Sequence, residues 1–218
     1  MVIIVVPAYN EAKNIGRVLS GLLKHGWREI IVVDDGSADD TAIIAERQGA
    51  RVLRHSVNRG QGAALQTGHE LALRLGAEVV VDFDGDDQFD PADIARALEK
   101  IKTSSASVLF GSRFMEVLAQ IPKSKLLLLK SGRWANYLFT GILLSDAHNG
   151  FRVLKRKALE KINIRQDGMA HNTEIVRQIK KNNFKFVEMG VAVKYHRYGQ
   201  GIVGGFKILC DLIFDWGE

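Results

Sequence analysis

The chain has 218 residues, of which 46% are hydrophobic and 25% charged, with a formal net charge of +5 and an isoelectric point near 9.3. That is about one domain's worth with ample apolar material for a core, which excludes a disordered chain, and the mild positive charge fits an anionic substrate or a membrane surface, with no nucleic-acid partner expected. Cys210 is the only cysteine, so an internal disulfide is excluded and a reducing compartment is suited, while no apolar run reaches the length of a bilayer span.

Residues 2–6, Val-Ile-Ile-Val-Val, read as a first buried strand. Pro7 marks its exit, because proline cannot donate in a ladder. Met1 leads straight into this strand with no basic region before it, so no signal peptide is expected. Asn14 caps or lies within an amphipathic helix that carries Ile15, Val18, Leu19, Leu22 and Leu23 at helical spacing. Residues 29–33 form a second strand closed by Asp34-Asp35-Gly36-Ser37, and a helix begins near Asp39 or Asp40. Residues 51–53 form a third strand, after which Asn58-Arg59-Gly60-Gln61-Gly62 opens a helix running to about Leu75. Residues 78–84 are a fourth strand and 91–102 a further helix. Strand and helix alternate throughout, which predicts an α/β fold with a mostly parallel central sheet and helices on both faces.

The second half is less regular. Residues 107–111 read as a strand. From 121 to 144, basic residues alternate with Leu, Trp, Tyr and Phe. Asp146-Ala147-His148-Asn149-Gly150-Phe151-Arg152 follows, then a short helix from about Arg156. Residues 174–181 read as helix, 185–193 as a strand at the sheet edge, and 202–216 as an amphipathic helix. There is no internal repeat or linker, so one domain over 1–218 is the simplest account.

The most informative stretch is the end of the fourth strand. Val79-Val80-Val81 runs into five aspartates within nine residues, Asp82 to Asp90, around Gly85. Carboxylates this close repel one another unless a cation lies between them. In extended chain Asp84 and Asp86 project to the same side, and with Gln88 behind them they form a set suited to one hard divalent cation that also binds phosphate oxygens. The position agrees, since ligands of open α/β sheets sit beyond the carboxyl ends of strands.

Several phosphate-binding motifs are excluded. There is no G-x-x-x-x-G-K-[ST], and Gly60-Gln61-Gly62 lacks the third glycine of a dinucleotide fingerprint, Leu65 standing in its place. The aspartates do not follow calcium-loop spacing. Asp82-Phe83-Asp84-Gly85 leaves one enzymatic alternative open, a haloacid-dehalogenase-type phosphohydrolase with Asp82 or Asp84 as nucleophile.

Six segments occur in a familiar order: Pro7-Ala8-Tyr9-Asn10-Glu11, Asp34-Asp35-Gly36-Ser37, Asn58-Arg59-Gly60-Gln61-Gly62, Asp84-Gly85-Asp86-Asp87-Gln88, Gly111-Ser112-Arg113 and Asp146 with Asn149-Gly150-Phe151-Arg152. In these the chain resembles the family 2 glycosyltransferases of GT-A fold, and most of all the branch of dolichyl-phosphate mannose synthases and other polyprenyl-phosphate sugar transferases. The resemblance implies a metal-dependent inverting transfer from a GDP- or UDP-sugar to a polyprenyl or dolichyl phosphate; the non-enzymatic alternative is a catalytically silent nucleotide-sugar-binding subunit serving a separate membrane-embedded partner. Residues 1–103 would be the nucleotide-binding half and 104–218 the acceptor-binding half. It implies a donor site of Pro7, Ala8, Tyr9, Glu11, Val33, Asp35, Gly62, Asp84, Gly85, Arg113, Arg152 and His196, with Mg²⁺ or Mn²⁺ on Asp84, Asp86 and Gln88.

Tyr9 would offer a stacking face, Glu11 an acceptor for hydroxyls or base N–H groups, Asp35 a partner for the base edge, and Arg113 a forked cation for the phosphates. Asp146 and Asp86 are the catalytic candidates; Asp146 either acts as a base or only orients the acceptor. Arg152 either contacts acceptor phosphate or pairs with Asp146. His171 and Glu174 share a helix face, as an H-x-x-E of related transferases or as an N-terminal capping arrangement. His196 and Arg197 stand near the position where the mannose synthases carry an Arg; Gly201-Ile202 replaces their Ser-Lys, with Lys194 and Lys207 as candidate substitutes. The basic and aromatic stretch 123–144 suits a helix lying in the headgroup layer, which gives a cytoplasmic protein peripheral to the membrane face.

Overall fold

The computed structural model describes residues 1–115, 137, 140–146 and 148–194. The expected interfacial stretch at 123–144 falls largely outside the described residues, and His196, Arg197, Lys207 and the helix expected at 202–216 fall wholly outside them. Seven strands form one sheet: β1 (Val2–Ala8), β2 (Ile30–Asp34), β3 (Arg51–Arg54), β4 (Val79–Asp82), β5 (Val108–Ser112), β6 (Arg152–Lys155) and β7 (Phe186–Gly190). Their order is β3-β2-β1-β4-β6-β5-β7. Every pairing is parallel except the two made by β6, which runs antiparallel to β4 and to β5. β7 lies at the edge, as expected.

Alternate residues of the buried strands feed two separate cores. Ile4 and Val6 pack with α1 (Ile15–Lys24), α2 (Thr41–Arg47) and α4 (Ala92–Thr103) through Ile15, Leu19, Ala45 and Ile94. Ile3 and Val5 pack on the opposite face with α3 (Gln61–Arg74), α5 (Arg156–Leu159) and α6 (His171–Lys181) through Leu65, Leu159 and Ile175. This two-sided demand is why β1 and β2 are apolar throughout rather than alternating. Among the described residues no helix is long and apolar enough to cross a membrane.

The sheet departs from the expected elements in four places. β6 was not foreseen. It is only four residues long, begins and ends on a cation, and follows a turn segment, so no period-2 signal marks it. β4 ends at Asp82 rather than at residue 84, and the chain turns through 84–87, where Asp87 has φ 63°. Asp84 and Asp86 are therefore brought to one corner by a turn, not by an extended run. α6 starts at His171, three residues early. Asn14 occupies the N-cap position of α1 but makes no cap; its amide donates to Glu11 Oε2 at 2.7 Å.

After β1 the chain lays β2 and β3 on one side and then crosses to place β4 on the other. The ends of β1 and β4 thus flank a point where the strand order reverses, the place where open α/β sheets bind ligands. Just behind that point Phe83, Phe89 and Phe151 pack edge-to-face, with centroids 5.7 to 6.2 Å apart. Each adjoins a residue of the acidic corner: Asp84, Gln88 and Gly150. Phe151 is fully buried, so Phe151→Ala is expected to cost about 3–5 kcal/mol, read as a lowered midpoint in urea unfolding with unchanged slope.

Candidate active site

A cleft of about 390 Å³ opens at the switch point and is lined by Pro7, Ala8, Tyr9, Glu11, Asp35, Asn58, Gly60, Gln61, Ala64, Asp84, Gly85, Asp86 and Met169. Eight residues singled out in the sequence meet here from three separate strand ends. Tyr9 is 48% exposed and offers its ring to the opening. Glu11 has its carboxyl pushed above the usual range, chiefly by burial, against a hydrogen bond from Asn14 and with added repulsion from Asp86 and Asp39.

The acidic corner is tightly fitted. Asp84 Oδ1 accepts from Gln61 Nε2 at 2.9 Å. On its other side a Cβ at Gly150 would stand 2.2 Å from Asp84 Oδ2, so only glycine leaves room for the carboxylate. Burial pushes Asp84 up to about 7, and Asp86 and Asp82 add to this against the opposing charges of Arg152 and Arg113. Asp86 accepts from the Gln88 backbone at 3.1 Å and from its amide at 2.6 Å. Gln88 therefore faces Asp86 with its nitrogen, and only a half-turn of the amide would present its oxygen to a cation.

Among the described residues no group of three His, Cys, Asp or Glu side chains forms a ligand set. Two carboxylates facing a cleft nevertheless fit a hard divalent cation that keeps water and takes phosphate oxygens for its remaining positions. Asp84, raised by burial and then by the neighbouring charge of Asp86, is a group such a cation would keep ionised.

Asp35 sits beneath the other end of the cleft, 3% exposed. Its Oδ1 accepts from His55 Nδ1 at 2.6 Å and from the Arg59 backbone at 3.0 Å, and its Oδ2 from the Gly60 backbone at 2.6 Å. His55 is held in turn by Thr67 Oγ1 at 2.9 Å. Asp35 thus fixes the loop that opens α3.

Four expected donor contacts, Gly62, Val33, Arg152 and Arg113, lie off the cleft lining. Gly62 is buried off the cleft: its N–H donates to Asp167 O at 2.7 Å, and a Cβ there would be 2.0 Å from Gln166 O. The glycines of this segment accept the 166–167 backbone, and the first turn of α3 is capped by it. Val33 is fully buried, its side chain packed against α3 in the second core. Arg152 is 1% exposed on β6, beside Asp82 in register, with its Nη1 3.9 Å from Asp82 Oδ2 and its Nη2 donating to Asn172. It is sealed under the corner rather than presented to a ligand.

The expected pairing of Arg152 with Asp146 is made by Arg113 instead, whose Nε and Nη2 reach Asp146 Oδ2 and Oδ1 at 2.7 and 2.8 Å. Burial alone would raise Asp146, but this forked contact, the Arg113 backbone N–H and Asn149 hold it below the usual carboxylate range. A carboxylate so engaged is poorly suited to take a proton. Arg113 also lies 5.4 Å over the Phe114 ring. Glu174, expected to cap its helix or to act with His171, accepts from the backbones of Arg165 and Gln166 at 2.9 Å each. It ties down the loop that carries Met169 to the cleft. The His171 Nδ1–H donates to Gly168 O at 2.7 Å, and the imidazole is pushed down to about 3 by burial and then by Arg152.

Sequence reasoning missed Gln61, Gly150, His55 and the buried pair of His69 Nε2 with Asp82 Oδ1 at 2.6 Å. Gln61 and Gly150 lay inside quoted motifs, where only the glycines of the first and the polar groups of the second drew notice. His55 and His69 carry no local signal.

The sheet order, the antiparallel β6 and the acidic cleft at the switch point define a GT-A glycosyltransferase. The sequence profile described as Glycosyl transferase family 2 matches residues 3–163, and the chain belongs to that family. It is similar to a UDP-N-acetylglucosamine–dolichyl-phosphate N-acetylglucosaminyltransferase of Methanococcus voltae, 29% identical across 98% of this chain and 95% of that one. It is also similar to a polyprenol monophosphomannose synthase of Mycolicibacterium smegmatis, 26% identical across 99% of this chain and 86% of that one. In fold it resembles glucosyl-3-phosphoglycerate synthase from Mycobacterium tuberculosis in complex with Mn²⁺, UDP and phosphoglyceric acid, with TM-score 0.72 and 19% identity over 98% of this chain and 76% of that one. Membership of the family sets aside the phosphohydrolase alternative with Asp82 or Asp84 as nucleophile; for Asp82 its burial against His69 adds a physical reason, because no phosphoryl group can reach that carboxylate.

Two outcomes are expected from the corner. Gly150→Ala keeps its fold but displaces Asp84, lowering Mn²⁺ affinity about tenfold or more, counted as free ion by electron paramagnetic resonance. In the unsubstituted chain a cation competes with the proton on Asp84. Its affinity should weaken about tenfold for each pH unit below about 7 and level off above, and Asp84→Asn should abolish that slope.

Proposed function

We propose that the chain transfers a sugar, with inversion, from a nucleoside-diphospho-sugar to a polyprenyl or dolichyl phosphate. The bond from the anomeric carbon to the donor diphosphate breaks, and a bond from that carbon to an acceptor phosphate oxygen forms on the opposite face. Base and ribose lie along Pro7, Ala8, Tyr9, Glu11 and Asp35, and the diphosphate reaches the corner of Gly85, Asp84 and Asp86. Asp84 and Asp86, with Gln88 assisting, would hold Mg²⁺ or Mn²⁺, whose charge stabilises the negative charge that grows on the leaving diphosphate. Arg113, held by Asp146 through Nε and Nη2, adds positive charge beside Asp84 for the phosphate oxygens.

The observation that carries the acceptor class is the locked state of Asp146. Transfer to a hydroxyl needs a base to remove its proton, whereas a phosphate acceptor arrives as an anion. A buried carboxylate committed to Arg113 suits the second chemistry and orients rather than deprotonates. The names of the Methanococcus voltae and Mycolicibacterium smegmatis relatives, both acting on polyprenyl-type phosphates, support the same reading, as does the Mn²⁺ and UDP complex of the structural neighbour for the donor side. A lipid acceptor places the reaction at a membrane surface, on the cytoplasmic face where nucleotide sugars are made.

The test is release of nucleoside diphosphate with Mn²⁺, with and without polyprenyl phosphate in vesicles. Asp86→Ala is expected to lower turnover at least about a thousandfold. Asp146→Asn is expected to lower kcat by about tenfold to a hundredfold while leaving the acidic limb of the pH–rate profile in place. Loss of that limb would make Asp146 the base and point to a hydroxyl acceptor. Nucleotide binding without turnover on any acceptor would indicate the silent-subunit alternative.

A further inference from the structure

The hydrogen-bond inventory of Asp35 bears on which nucleotide the cleft accepts. An ionised carboxylate has about four lone-pair sites, two on each oxygen. Oδ1 already takes two donors, the His55 ring N–H and the Arg59 backbone N–H, and Oδ2 takes one, the Gly60 backbone N–H. One acceptor site remains, on Oδ2. The carboxylate cannot swing to free another, because His55 is pinned from behind by Thr67 Oγ1 and the two backbone donors belong to the loop that opens α3. Asn58 lines the same end of the cleft, and no hydrogen bond engages its side-chain amide among the described residues. That amide is a donor available to a base carbonyl.

Guanine presents two donors side by side, N1–H and the 2-amino group, and pairs with a carboxylate through both. Uracil presents one, N3–H, flanked by carbonyl oxygens. We propose that the committed state of Asp35 makes the site selective for the single-donor edge of uracil over guanine, so that the donor substrate is a UDP-sugar. Oδ2 accepts uracil N3–H and the Asn58 amide donates to a flanking carbonyl, while Tyr9 offers its ring to the base. Guanine in the same pose leaves one of its two donors unpaired at a 3% exposed carboxylate, and an unsatisfied donor out of water is costly. His55 and Thr67 are positioning residues in this scheme, acting through Asp35. The proposal rests on the nucleotide-sugar reading of the cleft and adds the identity of the base.

UDP and GDP carry the same diphosphate and bind the same cation, so the ratio of their affinities reports the base alone. Titration calorimetry of the full chain with Mn²⁺ is expected to give UDP at least about tenfold tighter than GDP, even though guanine has the larger face for stacking on Tyr9. GDP binding as tightly as UDP overturns the inference while the donor reading stands; absence of binding by either overturns both. His55→Leu releases one lone pair of Oδ1 and loosens the carboxylate, and the ratio is expected to fall below about threefold. A folded His55→Leu chain with the unsubstituted ratio would show that this inventory does not set the choice, and would overturn the inference.

Discussion

The register of β6 against β4 is the constraint on which the site depends. Asp82 stands beside Arg152 across that antiparallel pair, both 1% exposed, where the sheet passes from the first half of the chain to the second. It sets Phe151 against Phe83, and so Gly150 against Asp84. Slipping β6 by one residue would turn Arg152 to the other face of the sheet and withdraw the glycine that makes room for Asp84. The buried charges are not there for stability, since a well-packed apolar set is commonly as good or better. Among the described residues Asp82 Oδ2 and two of the Arg152 nitrogens have no hydrogen-bond partner, a cost that a site can bear and a plain core would shed.

Around that pair the molecule separates charge into distinct jobs. Asp82 is paired with Arg152 and hydrogen-bonded to His69; Asp146 is neutralised by Arg113. Asp84 is held instead by the neutral Gln61 amide, and burial, with Asp86 and Asp82 beside it, raises it to about 7. The fold thus settles Asp82 and Asp146 with fixed cations and keeps Asp84 at the cleft.

Much of this was legible in the chain. The apolar runs at 2–6, 29–33 and 79–81 announced parallel strands, because strands buried on both faces need no alternation. The segments ending those strands named most of the cleft, since in this topology ligands gather at strand ends. What stayed hidden was non-local. β6 has too short an apolar run to announce itself, and its pairing with β4 spans about seventy residues. Gly62 is expected at the donor, yet the missing side chains of Gly60 and Gly62 admit the 166–167 backbone, a contact with no trace in the local sequence. Val33 had the right strand but the wrong face, and Asp146 the right place but a partner, Arg113, that withdraws it from proton transfer.

The segment after β7 is stitched to the acidic turn. Phe89 bridges to Val193, the Ala192 N–H donates to Asp93 Oδ2 at 3.0 Å, and the Lys194 N–H donates to Gln88 O at 2.9 Å. Residues far apart in the chain are thereby made mechanical neighbours, and a shift of the 86–90 turn on cation entry must be passed to residues 192–194. An environment-sensitive dye on the Lys194 side chain would therefore act as a remote gauge of the corner, reporting its filling without touching either carboxylate.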